Sequence, residues 1–190
     1  MKRTLLLVSL GLTVAFVNSR LTTVKAQAGQ PGSLVEPDTA EVFYGLRDGK
    51  LIPLEREIAA TVAKAGGFFV TNMRSALVFP GAKSPVRLRA SEPLEFVVRS
   101  ELAWSDFDPN ARYFLRRLDE KKKQRELVVM TGHFSPFGSS TETTIAQGAL
   151  PVEFSKYGNS SFKMRTGPIP PGEYAVSRLR AQTAFCFGVD

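Results

Sequence analysis

The feature that most constrains this fold is a series of short apolar runs, separated by turn residues at intervals of about 8–12 residues. In residues 86–90 and 161–165, apolar and polar side chains alternate, as expected of a strand with one buried face. Asp48-Gly49 is a strong hairpin signal, because glycine accepts a positive φ. The pattern predicts an all-β domain. We expect a single-domain β-sandwich of roughly eight to eleven strands, with a β-barrel as the alternative.

One segment is consistent with two kinds of structure. Residues 55–65 contain several alanines and precede Gly66-Gly67, which would end a helix. Ile58, Ala60 and Val62 also alternate, and the neighbouring segments are β. A strand is therefore the preferred prediction here, with one short helix as the alternative.

The N-terminus has the three parts of a secretory signal peptide. Lys2 and Arg3 precede an uncharged apolar run over residues 5–17, and Ala26-Gln27-Ala28 offers small residues for cleavage. We predict removal of residues 1–28, with a cut nearer Ser19 as the alternative. The run is shorter than the roughly 20 residues of a membrane-spanning helix. The chain is therefore expected to be exported to the periplasm or the extracellular space, with no membrane span after cleavage.

Charge argues against a nucleic-acid partner. The predicted cleavage removes four of the 25 basic residues and none of the 18 acidic ones, which lowers the net charge from +7 to about +3. The remaining charges are interspersed, without a basic stripe. Residues 29–40, which contain two Gly and two Pro, are predicted to form a flexible lead, and residues 41–190 the all-β domain. The charged run over residues 119–126 is typical of a solvated hairpin tip.

The single cysteine excludes an intrachain disulfide. Cys186 lies between Phe185 and Phe187, where a thiol usually packs as a small core residue. A free thiol for intermolecular or redox use is the alternative. The single histidine, His133, is predicted to lie in a loop, and a role as a general base is the alternative.

Three motifs resemble known sites only in part. Residues 106–110 alternate oxygen-bearing side chains like a calcium loop, but Ala111 and Arg117 replace its glycine and glutamate. Residues 45–50 lack the spacing of a phosphate loop. Ser160 and Lys163 match a serine–lysine spacing, within a segment that alternates like a strand. Trp104 is expected in the core, with a sugar-stacking surface as the alternative. We therefore predict no catalytic, metal or cofactor site.

A closing turn and strand at Pro171-Gly172-Glu173-Tyr174-Ala175, with the terminal Phe185-Cys186-Phe187-Gly188-Val189-Asp190, resemble a group of uncharacterised exported bacterial all-β proteins. The resemblance implies an exported β domain and brings no known activity.

These observations predict a non-enzymatic secreted or periplasmic module that acts by surface contacts with an envelope protein or polysaccharide. Two alternatives remain open at this point. One is a small hydrolase acting on an envelope polymer, and the other is a structural subunit that assembles through its edge strands.

Overall fold

A computed structural model describes residues 34–67, 71–90, 92–102, 106, 108–143, 148–178 and 181–190. The all-β prediction is confirmed, because the described residues form fifteen strands and one helical turn. The predicted number of eight to eleven strands was too low, because several strands are only two to four residues long. Two sheets face each other, and the larger one curls into a half-barrel. The fold thus combines features of the predicted sandwich with those of the alternative barrel. The predicted signal peptide over residues 1–28 lies outside the described residues. No helix among the described residues is long and apolar enough to cross a membrane.

The strands follow one another closely along the chain, and all but one of their pairings are antiparallel. In chain order they are β1 (Phe43–Arg47), β2 (Lys50–Pro53), β3 (Glu55–Ile58), β4 (Ala60–Gly66), β5 (Thr71–Pro80), β6 (Arg87–Leu88), β7 (Leu94–Arg99), α1 (Pro109–Arg112), β8 (Tyr113–Glu120), β9 (Gln124–Ser135), β10 (Gly138–Thr143), β11 (Ala149–Leu150), β12 (Glu153–Tyr157), β13 (Ser161–Thr166), β14 (Gly172–Arg178) and β15 (Thr183–Val189).

Local sequence signals account for several of these boundaries. Asp48 and Gly49 both have positive φ angles, which gives the tight turn of the β1–β2 hairpin, as predicted. The lysines at 121–123 form the exposed turn between β8 and β9, where the Lys121 amide donates to the Gln124 carbonyl. The solvated tip predicted for residues 119–126 was wrong for Arg125 and Glu126, which are buried because β9 begins at Gln124. The segment over residues 55–65 is extended as β3 and β4, so the preferred strand prediction is confirmed and the alternative helix does not form.

The smaller sheet has the strand order β12–β13–β7–β1–β2, and the larger one has the path β3–β15–β14–β8–β9–β5–β4. Only Ala59 separates β3 from β4, so the two ends of the larger path are neighbours in the chain. The larger sheet must therefore curl back on itself. β6 pairs with β15, β10 with β9 and β11 with β8, outside the main path.

Side-chain alternation along the strands produces two separate cores. On β14, Tyr174 and Val176 point outward from the curl and pack against the smaller sheet, where the Phe96 and Phe187 ring centroids lie 4.9 Å apart. Ala175 points the other way and lies inside the curl, beside Cys186. The first core resembles that of a sandwich, and the second is the interior of a half-barrel.

Residues 34–40, at the described end of the predicted lead, contact the domain. The Glu36 carboxylate accepts hydrogen bonds from the Asn159 and Ser160 amides at 2.7 and 3.1 Å, and from the Ser161 hydroxyl at 2.8 Å. Burial raises the pKa of Glu36, but these hydrogen bonds outweigh that effect and hold the pKa below its usual value. The Arg99 guanidinium also donates to the Asp38 carbonyl. The chain is thus attached to the domain before β1 begins.

Candidate functional site

One end of the curled sheet contains a charged group at full burial. Arg125 is 0% exposed, and its Nη1 donates to Glu55 Oε2 at 2.7 Å. Its Nη2 donates to the Pro80 carbonyl at 2.8 Å, and its Nε donates to the Gly81 carbonyl at 3.2 Å. The guanidinium therefore joins strand β3 to the turn that follows β5. A buried cation is tolerated when it is paired and hydrogen-bonded in this way.

The same end continues as an alternating series of charges, which we call the charge ladder: Glu55, Arg125, Glu173, Arg87 and Asp190. Glu173 is 1% exposed, and its Oε2 lies 3.7 Å from Arg125 Nη1 and accepts from the Ser84 amide at 2.7 Å. Arg87 contacts Glu173 Oε1, and its Nε donates to Asp190 Oδ2 at 3.1 Å. Each charge in the ladder has an opposite neighbour, as is typical of a structural network.

Two groups beside the charge ladder have shifted proton affinities. Burial, the charge of Glu55 and a hydrogen bond with Glu55 raise the pKa of Glu57, partly offset by Arg125. Burial also raises the pKa of the Cys186 thiol to about 12, although the Arg125 charge opposes the shift. Cys186 is therefore a neutral core thiol at neutral pH rather than an activated nucleophile.

A second cluster lies at the junction of the two sheets. The Tyr113 hydroxyl donates to Glu41 Oε2 at 2.8 Å, and Arg112 Nη2 and Arg178 Nη1 lie 3.2 and 3.5 Å from the same oxygen. Burial and the hydrogen bond to Glu41 raise the pKa of Tyr113. A cavity of about 130 Å³ adjoins this cluster. The φ of Glu41 is 60°, which places its backbone in the left-handed region.

The other end of the half-barrel contains a cavity of about 190 Å³, which we call the barrel-end cavity. Leu77, Leu127 and Val129 form an apolar wall. Arg116 also lines the cavity and is 7% exposed, with Nη2 donating to the Val128 carbonyl at 3.0 Å. Burial lowers the pKa of Arg116. The cavity thus combines apolar surface with a desolvated positive charge.

Four strands form a flat extension, which we call the arm: β4, residues 71–75 of β5, residues 130–135 of β9, and β10. Met73 lies opposite Gly132 in the register, and the Phe134 ring lies over Gly132, so these three residues share one face. Phe134 is 39% exposed, and Phe137, in the turn between β9 and β10, is 100% exposed. The arm therefore presents apolar side chains to its surroundings.

The opposite face of the arm is polar and contains the only histidine. His133 lies opposite Asn72 on β5 and Ser140 on β10, and its Nδ1 is hydrogen-bonded to Asn72 Oδ1 at 2.9 Å. The predicted loop position was wrong, because residues 124–135 form one long strand. The general-base alternative gains no carboxylate from this contact, since the hydrogen-bond partner is an amide.

The remaining sequence candidates are not assembled into a site. Asp108 accepts from the Asn110 amide at 2.9 Å and caps α1, so this acidic segment begins a helical turn. Among the described residues, no three His, Cys, Asp or Glu side chains are grouped as metal ligands. The Ser160 hydroxyl donates to Glu36 Oε2 at 3.2 Å, and Lys163 Nζ contacts Glu95 at 3.2 Å. Trp104 lies outside the described residues.

Neither the charge ladder nor Arg116 was predicted from the sequence. The sequence did offer one signal, a charged residue two positions from a small or apolar one on the same strand. Glu173 is related in this way to Ala175, and Arg116 to Leu118. That signal assigns both charges to one face of their strands. It does not indicate that this face lines the interior of a curled sheet.

A search of protein-family models finds no match for this chain, and a search of curated proteins finds none either.

Proposed function

We propose that this chain is a non-enzymatic module, exported to the cell envelope, that binds an extended segment of another envelope protein along strand β4. The observation that carries the proposal is the exposed outer edge of β4, which is the edge that does not pair with β5. All seven residues of this strand are exposed, and Lys64 is its only charged residue.

The chain topology explains why this edge is open. β3 pairs with β15 along the edge that continues as the outer edge of β4. This pairing begins at Thr183 opposite Ile58. One residue later, the Ala59 amide donates to the Gln182 carbonyl. β4 then continues along β5 with its other edge, from Ala60 to Gly66, and no described strand pairs with its outer edge. An exposed edge with small side chains and one charge is a template for a further strand.

A polypeptide fits this edge better than a polysaccharide does. The amide and carbonyl groups of β4 repeat every 3.2–3.4 Å, a spacing that another extended backbone reproduces. On the apolar face of the arm, an added strand would lie directly beside the small Ala63 and Ala65 side chains of β4, with Met73 one strand further in. Backbone pairing would supply affinity, and these side chains would supply selectivity.

The test is a pull-down from an envelope extract with the chain lacking residues 1–28. Ala63→Lys and Ala65→Lys, combined, place two charges on β4, since lysine on an edge strand opposes strand addition. Ser140→Lys on β10, the opposite edge of the arm, is the matched control. We expect the same envelope protein with the unmodified chain and with the control, and at least tenfold less of it with the β4 variant.

Two results would count against the proposal. Equal capture by all three chains would place the contact elsewhere. A dimer of the unmodified chain on size exclusion that is lost in the β4 variant would make the edge a contact between copies, as in a structural subunit. Circular dichroism of the variants must show an unchanged fold for either comparison to hold.

A further inference from the structure

The barrel-end cavity exists because two neighbouring strands separate. β8 pairs with β9 only at Asp119 and Glu120, and further along the same strand Arg116 and Leu115 pair with β11 instead. β9 therefore diverges from β8 beyond their shared turn. Arg116 spans the opening and donates from Nη2 to the Val128 carbonyl.

The chemistry of the cavity is divided between a cationic end and an apolar wall. Leu77 on β5 lies opposite Leu127 on β9, and both side chains face the interior of the curl together with Val129. Thr61 and Ser177 also line the cavity, together with Arg178, Ala181 and Gln182. The Arg116 guanidinium carries a positive charge, and a charge beside an apolar wall attracts an anion more strongly than it does in bulk water. Because Nη2 already donates to the Val128 carbonyl, this charge rather than a two-pronged hydrogen bond would hold a carboxylate.

We infer that the barrel-end cavity binds a small aliphatic monocarboxylate. The carboxylate lies against Arg116, and the hydrocarbon body lies along Leu77, Leu127 and Val129. The cavity of about 190 Å³ is smaller than the roughly 300–1,000 Å³ of sites for drug-sized ligands, which restricts the ligand to a short chain. The inference does not rest on the proposed strand addition, because the ligand contacts that carry it lie on β5, β8 and β9.

The test uses hexanoate as the probe and follows amide chemical shifts of the chain lacking residues 1–28. Hexan-1-ol, which has the same chain length without the charge, is the ligand control. Arg116→Gln removes the cation, and Arg117→Gln removes its exposed neighbour, which points to the opposite face of β8 and donates to the Pro171 carbonyl. Thr61→Phe fills the cavity from the exposed strand β4 and leaves Arg116 in place.

We expect saturable shifts around Leu127 and Val129 with hexanoate, and affinity at least tenfold weaker for hexan-1-ol. Arg116→Gln and Thr61→Phe should each weaken hexanoate binding at least tenfold, while Arg117→Gln leaves it unchanged. If Arg116→Gln does not fold, Thr61→Phe and hexan-1-ol still decide the question. The inference fails if hexanoate produces no saturable shifts, if the alcohol binds equally well, or if Thr61→Phe has no effect.

Discussion

Replacing Arg125 by methionine removes the centre of the charge ladder while preserving most of the side-chain volume. The substitution leaves the Pro80 and Gly81 carbonyls without their guanidinium donor and takes from Glu55 its 2.7 Å partner. Glu173, 1% exposed, keeps Arg87 and the Ser84 amide but loses a second positive charge at 3.7 Å. Breaking one side of a buried ion pair typically costs about 3–5 kcal/mol.

That cost is large relative to the whole domain. Single domains unfold with a free energy of roughly 5–15 kcal/mol, so Arg125→Met should remove a substantial part of it. For a chain of this length, 1 kcal/mol corresponds to about 2–4 °C in Tm, which gives an expected decrease of about 6–20 °C. Urea unfolding followed by circular dichroism measures the free energy directly, and a thermal scan measures Tm.

The matched control is Arg117→Met, at an exposed position on β8 where one hydrogen bond to the Pro171 carbonyl is lost. We expect a change of less than about 1 kcal/mol there. A double variant, Arg125→Met with Glu55→Gln, should lose less stability than the two single changes added together, because the two side chains contact each other. If Arg125→Met unfolds within 1 kcal/mol of the control, the ladder does not stabilise the fold as argued.

Three further outcomes are expected from the same structure. The lowered pKa of Glu36 means that its stabilising effect is present above the ordinary carboxyl pKa of about 4.3 and is lost as the pH falls through the folded value. Glu36→Gln should therefore cost about 1–3 kcal/mol at pH 7 and progressively less in acid, as urea midpoints would show, while exposed Glu101→Gln has little effect. Cys186 should react with a thiol reagent only after unfolding, and rapid labelling of the native chain would contradict its burial. Gly188→Ala should lower the urea midpoint, because the added Cβ would collide with the Arg87 guanidinium, and an unchanged midpoint would show that Arg87 moves freely.

The local sequence predicted those parts of the fold that depend on neighbouring residues. Alternation identified β13, and Asp48-Gly49 identified the β1–β2 hairpin, because both signals act within a few residues. The strand over residues 55–65 could also be favoured over a helix from its period. The curl could not be predicted, since it depends on β3 and β4 pairing with different partners, β15 and β5, from distant parts of the chain.

The candidate sites were hidden for the same reason. Arg125 and Glu55 are separated by 70 residues, and Arg87 and Glu173 by 86. Each is an ordinary surface-type residue in sequence, and only the strand order brings them together. His133, which the sequence singled out because it is the only histidine, contacts Asn72 on the polar face of the arm. That a residue type is rare therefore said less about the candidate sites than which face of its strand a charged residue occupies.

The charge ladder also bears on how the larger sheet selects its register. On β14, Glu173 faces the interior of the curl and Tyr174 faces the core between the sheets. A slip of one residue against β8 and β15 would exchange these two faces. Glu173 would then enter the aromatic core without Arg125 or Arg87, and an unpaired buried carboxylate costs several kcal/mol. The slip would also place Tyr174 and Val176 inside the curl, where Ala175 now packs, and overfilling a packed core is itself destabilising. The position of one carboxylate and the sizes of the apolar side chains therefore both penalise the shifted register.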